Sequence, residues 1–358
     1  MAFEERVREL ADEVSPLDSA AVEEAREYHL KLTKPPGSLG RLEELGARLA
    51  GMAGECPPPA PESPAVVVCA GDHGVLERGV SPWPKEVTAA MVGNFCNGGA
   101  AVNAIAKTVG ARVSVLDVGV ASDLDQHPLL RGGKVRPGTD DLSRGSAMSR
   151  EEAARAVMAG SGVAEELIES GGVDLLVTGD MGIGNTTPAA CLIGAFTGRS
   201  PEEVTGRGTG IDDETLDLKV GVVRDALALH GPDAGDPLGV LAAVGGLEHA
   251  AICGVILTGA VYGVPVLLDG VISNSAALAA QTFAPDSTGY MIAGHRSAEP
   301  GADVALEKLG LEPLLDLEMR LGEGTGGLLA VPLVQAAARV MGEMATLEDL
   351  GFGPDEAG

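Results

Sequence analysis

The stretch DLLVTGDMGIGNTTPAACLIGAF, residues 174–196, carries the reading of the whole chain. Its first residues, Asp174 to Thr178, are apolar and short enough for a strand covered on both faces. Gly179, Gly182 and Gly184 then let the backbone turn sharply and approach a bound group closely. Thr187 is placed as an N-cap and Pro188 at the first helical position, where its missing N–H costs nothing. A helix N-terminus behind a glycine loop offers unpaired N–H groups and about half a positive charge, a site for an anion such as phosphate. The same pattern also serves as a plain tight connection, so its meaning depends on the rest of the chain.

On both sides of this stretch, apolar runs alternate with helical ones. AVVVCAGDHGV (65–75) and RVSVLDVGV (112–120) read as strands, and VPVLLDGVI (264–272) and TGYMIAGHRSAEPG (288–301) as strands ending in polar residues. Residues 84–109 read as helix that Asn97-Gly98-Gly99 could interrupt, 149–171 as an amphipathic helix with a Ser149/Glu152 capping box, and 236–262 as one or two buried helices. A helix from Asn274 to Phe283 follows the strand that ends at Asp269. Residues 121–148 are polar and glycine-rich and read as a long irregular excursion. Such alternation implies an α/β fold, a Rossmann-like mostly parallel sheet flanked by helices. Ligands in these folds sit outside the carboxyl ends of the strands. Asp72, His73, Asp180, Asp269, His295, Arg296 and Ser297 collect on that rim, with Glu323 on a nearby loop.

Three helices are expected within residues 3–54, the second entered at Leu17-Asp18, and Lys34 to Ser38 form a rigid proline turn between the second and third. The proline-rich ECPPPAPESP (55–64) is expected to separate this segment from the main domain. The organisation is therefore a helical segment over 1–60, part of a small subdomain completed by C-terminal residues. An α/β domain over 61–340 and a helical tail over 341–358 follow.

Composition narrows the function. The chain has 358 residues, is 45% hydrophobic and only 3% aromatic, so its core is built from Val, Leu, Ala and Ile. A formal net charge of −27 argues against nucleic acid or anionic membrane as partners. It does not forbid an anionic substrate, because distant charge is screened within about 8 Å at physiological salt. Such a site must rest on aimed N–H groups and a few near cations. Five scattered cysteines with no C-x-x-C pair read as reduced core residues of a cytosolic protein. No signal pattern opens the chain, and apolar runs such as 250–268 are broken by Gly and Pro, so no membrane insertion is expected.

Several chemistries fall away. The six histidines show no H-x-x-x-H or H-E-x-x-H spacing, so no metal is expected. There is no G-x-S-x-G elbow for a serine hydrolase. Gly182-x-Gly184-x-x-Thr187 comes close to a dinucleotide fingerprint, yet it lies mid-chain and no strand ending in an acid follows about 20 residues later. What remains is a phosphate cradle and rim carboxylates. With them come Arg207 in a glycine turn, a helix opened by Asp212 or Asp213 that carries Lys219, and Glu323 between glycines. Glu323 reads either as a general base at the rim or as a helix-entry carboxylate answering the dipole.

KPPGSLGRLE (34–43), GDHGV (71–75), GDMGIGNTTPAA (179–190), GRGTGID (206–212), LDG (268–270), GHRSAEPG (294–301) and LGEGTG (321–326) together resemble the nicotinate-nucleotide:dimethylbenzimidazole phosphoribosyltransferase family, in order, over about residues 30–346. The resemblance implies transfer of 5-phosphoribosyl from nicotinate mononucleotide to 5,6-dimethylbenzimidazole. Its products are nicotinate and α-ribazole 5′-phosphate, used for the lower nucleotide loop of cobalamin. It implies no cofactor, cytoplasmic location and a homodimer. By resemblance Glu323 is the general base, Asp180 a supporting carboxylate where many members carry Glu, and Lys219 a catalytic-site partner of the phosphate. Gly182, Gly184, Asn185, Thr186, Thr187, Ser297 and Arg207 are expected to hold phosphate and ribose. Ser81, Pro82, Met91, Met181 and Leu321 are expected to form the slot for the aromatic base. Ala90 stands where a base-contacting glutamine is common, which bears on acceptor preference. The alternatives are a phosphoribosyltransferase for another aromatic base and a non-catalytic nucleotide-binding module.

Overall fold

Residues 65–70 of the first strand are all buried, and their alternation divides the core in two. In the computed structural model, which describes residues 2–352, Ala65, Val67 and Cys69 join one aliphatic cluster. Val66, Val68 and Ala70 join the cluster on the opposite face, as period-2 geometry requires. Among the described residues six strands form one sheet: β1 (Pro64–Gly71), β2 (Arg112–Gly119), β3 (Leu130–Gly132), β4 (Leu175–Met181), β5 (Val266–Leu268) and β6 (Met291–Ala293). All neighbours pair parallel in the order β3-β2-β1-β4-β5-β6, the doubly wound arrangement. The chain reverses direction across the sheet between β1 and β4, so the glycine loop after β4 lies beside the switch point.

Helices α1 (Ala2–Asp12), α2 (Ser19–Lys31) and α3 (Arg41–Ala53) precede the sheet. Then come α4 (Glu86–Cys96), α5 (Ala101–Val109), α6 (Arg150–Glu169) and α7 (Thr186–Thr197). After the central stretch follow α8 (Pro201–Val204), α9 (Asp213–His230), α10 (Pro237–Val244) and α11 (Leu247–Val261). The last are α12 (Val271–Phe283), α13 (Pro300–Leu309) and α14 (Thr325–Glu343). Asp18 caps α2 through Ala20 and Ala21 N–H, and Ser149 with Glu152 forms the capping box of α6. Asp212, not Asp213, caps α9, accepting from Thr215 N–H. Residues 97–100 do break the helix between α4 and α5, and Gly245-Gly246 separates α10 from α11.

Several boundaries differ from the sequence reading, each for a tertiary reason. Residues 130–132, inside the expected irregular excursion, add β3 to the sheet edge because β2 offers an unpaired side there. The helix after β5 begins at Val271, three residues earlier than Asn274. The helix after the glycine loop begins at Thr186 behind Asn185, so Thr187 lies inside the first turn and is no N-cap. Its hydroxyl is buried without a partner.

The proline-rich stretch lies docked along the body. Glu62 and Ser63 N–H donate to Asp174 at 2.8 and 2.7 Å, and Gln335 Nε2 donates to Pro61 O at 2.8 Å. Helices α2 and α3 pack with Met341 at the end of α14, and Leu32 bridges to Thr346. Helix α1 goes elsewhere, burying Val7 and Ala11 in the cluster that contains α6 and α11. Lys34 of the proline turn is folded inward onto Glu43 at 2.7 Å. The tail beyond residue 352 lies outside the described residues. Helix α14 has the length and apolarity to cross a bilayer, but its Leu328, Val331, Val334 and Ala338 are buried in the core. The apolar run over 250–260 is α11, buried on all sides.

Helices α6 and α11 touch backbone to backbone. A Cβ on Gly160 would stand 1.9 Å from Ala251 O, and one on Gly254 would stand 1.9 Å from Val157 O. Neither backbone can yield without separating the helices, so Gly254→Ala is expected to destabilise the fold by about 3 kcal/mol. Equilibrium urea unfolding measures this; a change within about 0.5 kcal/mol, the surface range, would contradict the close approach.

Candidate active site

A cleft enclosing about 680 Å3, its open mouth included, lies at the carboxyl ends of β4, β5 and β6. Its wall holds Asp180, Gly182, Gly184, Asn185 and Thr186 from the central stretch, and Arg207 and Lys219 from the next turn and helix. Ser297, Ser81 and Leu321 also line it. Thr187, Pro82, Met91, Met181 and Glu323 do not line it. Met181 is buried in the cluster against which Met91 packs. The apolar part of the wall is Val80, Ile183, Val271, Ile272 and the expected Leu321, the last 56% exposed. His295, Glu299 and Arg320 complete the polar part.

The glycine loop is held from outside as well as within. A side chain at Gly182 would meet Gly71 O at 2.4 Å and His73 Nε2 at 2.9 Å, so only glycine fits between β1 and the loop. Ile183 N–H donates to the buried Thr88 hydroxyl of α4 at 3.1 Å. Asn185 N–H bonds Gly182 O, and Thr187 N–H bonds Gly184 O. Part of the expected cradle is therefore used by the loop itself, while the N–H groups of Gly184 and Thr186 take no part in these bonds.

Cations and carboxylates share the cleft, with Lys219, Arg207, Arg320 and Glu299 together at one end. Lys219, only 1% exposed, donates to Thr186 Oγ1 at 2.7 Å and to Gly206 O at 2.9 Å. Burial pushes its ammonium down to about 8, with Glu299 opposing the shift. Arg207 turns away to Asp213 and to Ile211 O, and Arg320 donates to Gly208 O at 2.5 Å. Asp180 accepts from Asn185 Nδ2 at 2.8 Å, and its other oxygen is buried without a partner. Burial and the neighbouring Asp269 carboxylate push Asp180 well above the usual carboxylate range.

The loop Leu321–Gly324 reaches the same place from the far end of the chain. The Asp180 carboxylate oxygens lie 3.1 Å from where a Cβ on Gly322 would be, a direct contact between the central stretch and this loop. Gly322, Glu323 and Gly324 all have left-handed backbones, φ 84°, 64° and 85°. Such a conformation is costly for a glutamate. Asp269, fully buried at the end of β5, holds the turn by accepting from Gly326 N–H at 2.7 Å, Gly327 N–H at 3.0 Å and Gly324 N–H at 3.2 Å. Glu323 itself is buried, one carboxylate oxygen unpartnered. Burial raises it above the usual range, the Val102 N–H at the start of α5 opposes, and Asp269 adds to the rise.

Other rim residues serve the frame. His73 lies 2.8 Å from Glu248, which also meets His249 at 2.8 Å, all three side chains fully enclosed. Burial favours neutral His73, but the Glu248 carboxylate outweighs it and raises the imidazole. Asp72 accepts from Ala121 N–H, and Arg296 points outward to Asp303 and Asp316. His295 lies 3.5 Å from Asp269, whose charge raises it against the effect of burial. Among the described residues no group of three His, Cys, Asp or Glu is arranged to hold a metal ion. Sequence reasoning missed Thr88, Glu299, Arg320, Val271 and Ile272; the last four lie within or close beside the quoted motifs, whereas Thr88 lies in none of them.

A doubly wound sheet with a glycine loop, a buried lysine and a carboxylate loop on one cleft defines an α/β group-transfer enzyme. Residues 14–351 match the family model described as phosphoribosyltransferase. The nicotinate-nucleotide–dimethylbenzimidazole phosphoribosyltransferase of Salinispora tropica is 57% identical, over 94% of this chain and 96% of that protein. The enzyme of the same name from Chloroflexus aggregans is 54% identical over 94% and 95%. The crystal structure of the Thermus thermophilus enzyme superposes with a TM-score of 0.90 at 48% identity, covering 94% of this chain and 99% of that one. The chain belongs to the nicotinate-nucleotide–dimethylbenzimidazole phosphoribosyltransferase family.

Replacing Asp269 by Ala removes the acceptor of three buried N–H groups. The expected loss is about 3 kcal/mol or more in equilibrium unfolding, with activity lost even where the protein remains folded. A fully active Asp269→Ala variant would show that the turn holds its shape without this carboxylate.

Proposed function

We propose that this protein transfers the 5-phosphoribosyl group of nicotinate mononucleotide to 5,6-dimethylbenzimidazole, giving α-ribazole 5′-phosphate and nicotinate. The single observation that carries the site assignment is the contact of Asp180 with Gly322, which brings the glycine loop and the glutamate loop onto one cleft. The nucleotide phosphate is held by Lys219, Thr186, Ser297 and the loop N–H groups, with Asn185 and Arg207 at the edges of that end. The acceptor ring lies against Ser81, Val80, Ile183 and Leu321, beside the Glu323 loop.

One benzimidazole nitrogen directs its lone pair at C1′ from the face opposite nicotinate. The C1′–N bond breaks, and its electron pair returns to the pyridinium nitrogen, which neutralises that ring and makes nicotinate a good leaving group. Inversion at C1′ converts the β-nucleotide into the α-product. The proton on the second benzimidazole nitrogen passes to the unpartnered oxygen of Glu323, whose raised basicity suits it to this acceptance. Asp180, its carboxyl raised by burial beside Asp269 and held by Asn185 Nδ2, is a supporting group beside the base. Holding two rings across one carbon supplies much of the rate through orientation. The reading includes a cytoplasmic enzyme that works as a homodimer; sedimentation equilibrium at twice the chain mass is the expected result, and a monomer would remove that part.

Glu323→Gln is expected to lower kcat by about 100-fold or more while leaving the KM for nicotinate mononucleotide nearly unchanged. Equal losses in both would make Glu323 a structural residue. The base must be deprotonated and Lys219 charged, so kcat/KM rises with pH through a value above the ordinary glutamate range and falls as pH passes about 8. A profile without the alkaline limb would remove Lys219 from the phosphate site.

A further inference from the structure

A carboxylate is out of place where a phosphate is to bind, yet Glu299 lines the cleft, only 6% exposed, at the end occupied by Lys219. Its position follows from the GHRSAEPG turn, which leads into α13 at Pro300. Although Glu299 precedes that helix, its side chain makes no cap and reaches across to residues 206–208 instead. Oε1 accepts from Gly208 N–H at 2.8 Å, and a side chain at Gly206 would collide with Oε2 at 2.0 Å. Gly208 O accepts from Arg320, and Gly206 O from Lys219 Nζ. Glu299, Arg320 and Lys219 thus fasten one glycine turn from three elements. Two of the three ammonium protons of Lys219 are used on Thr186 and Gly206, leaving one for a ligand in the cleft.

We propose that Glu299 is a positioning residue for the phosphate end of the cleft: it locks the Gly206–Gly208 turn and supplies the counter-charge that keeps the enclosed Lys219 ammonium in its cationic form. This rests on the reading of Lys219 as the phosphate partner. The other groups facing Lys219 cannot supply that charge. Cys191 on α7 is pushed up to about 12 by burial and stays a neutral thiol, and Thr186 is a hydroxyl. Arg207 and Arg320, on the same cleft, are cations that oppose the ammonium, and the Asp180 carboxyl is held by Asn185 Nδ2 beside Gly322. His295, also on the cleft, pairs with Asp269. Glu299 therefore acts in two opposite ways. It keeps the lysine charged, and it repels the phosphate that the lysine attracts.

That opposition makes the role measurable. Binding of nicotinate mononucleotide is followed by titration calorimetry from pH 6 to 9.5, with inorganic phosphate as a second probe, for the wild type, Glu299→Gln and Glu299→Asp. Gln keeps an acceptor for Gly208 N–H but has no charge; Asp keeps the charge but shortens the reach. Wild-type affinity is expected to fall as pH rises through about 8, where Lys219 loses its proton. In the Gln variant the fall begins about one unit or more lower, while affinity at pH 6 is equal to or tighter than wild type. The Asp variant weakens at every pH with its alkaline limb unmoved. Uniform weakening of the Gln variant with an unshifted limb, or an Asp limb that moves as the Gln limb does, would overturn the counter-charge role. Should the Gln variant fail to fold, the Asp limb still decides. A wild type that binds neither probe at any pH would instead remove the phosphate reading on which the proposal stands.

Discussion

Three N–H groups at the N-terminus of α14, those of Gly324, Gly326 and Gly327, point at a single fully buried carboxylate, that of Asp269. The interaction joins the carboxyl end of β5 to a loop more than fifty residues later, and the active cleft depends on it. Glu323 and its two glycine neighbours stand in left-handed backbone, a conformation that a glutamate adopts only when its surroundings over-determine it. Charge-assisted bonds to Asp269 offset that strain. The turn then closes on β4, where Glu323 O would meet a side chain at Gly179 at 2.7 Å, and Gly322 rests on the Asp180 carboxylate.

Concentrating carboxylates around an anion site in a chain of net charge −27 calls for local control of charge. Asp269 is satisfied by backbone dipoles. Asp180 is raised well above the usual carboxylate range by burial beside Asp269. Glu248 is held well below the usual range: burial alone would raise it, but the imidazoles of His73 and His249 outweigh that effect. The remaining ionised groups at the phosphate end are then few, and their separations are short enough that the distant surface charge matters little. Lys219 sits at the balance point, since the enclosure that strengthens its attraction for an anion also weakens its hold on its own proton.

Local pattern made much of this architecture legible. The unbroken apolar runs 65–70 and 175–177 became central parallel strands because strands buried on both faces lack polar alternation. Capping residues such as Asp18, Ser149 and Asp212 marked helix starts because their side chains answer N–H groups within the next turn. The same local logic misplaced Thr187, since the loop bonds of Asn185 and Thr187 start the helix earlier. It also passed over β3, three residues whose strand character comes only from pairing with β2. Of the residues expected to form the aromatic slot, Ser81 and Leu321 line the cleft beside Val80, Ile183, Val271 and Ile272, while Pro82, Met91 and Met181 do not.

By itself, the sequence determined that an aliphatic parallel sheet would carry a glycine loop at the mouth of a mid-chain strand, with a lysine and a glutamate held in reserve downstream. Hydrophobic period and turn chemistry are properties of neighbouring residues, so they can be read along the chain. Only the tertiary structure decided that Glu299 would face Lys219, that Asp269 would hold the Glu323 turn, and that Asp180 would touch Gly322. Those contacts join residues far apart in the chain, and their energies depend on burial, which no stretch of sequence possesses until the sheet and its helices have closed around it.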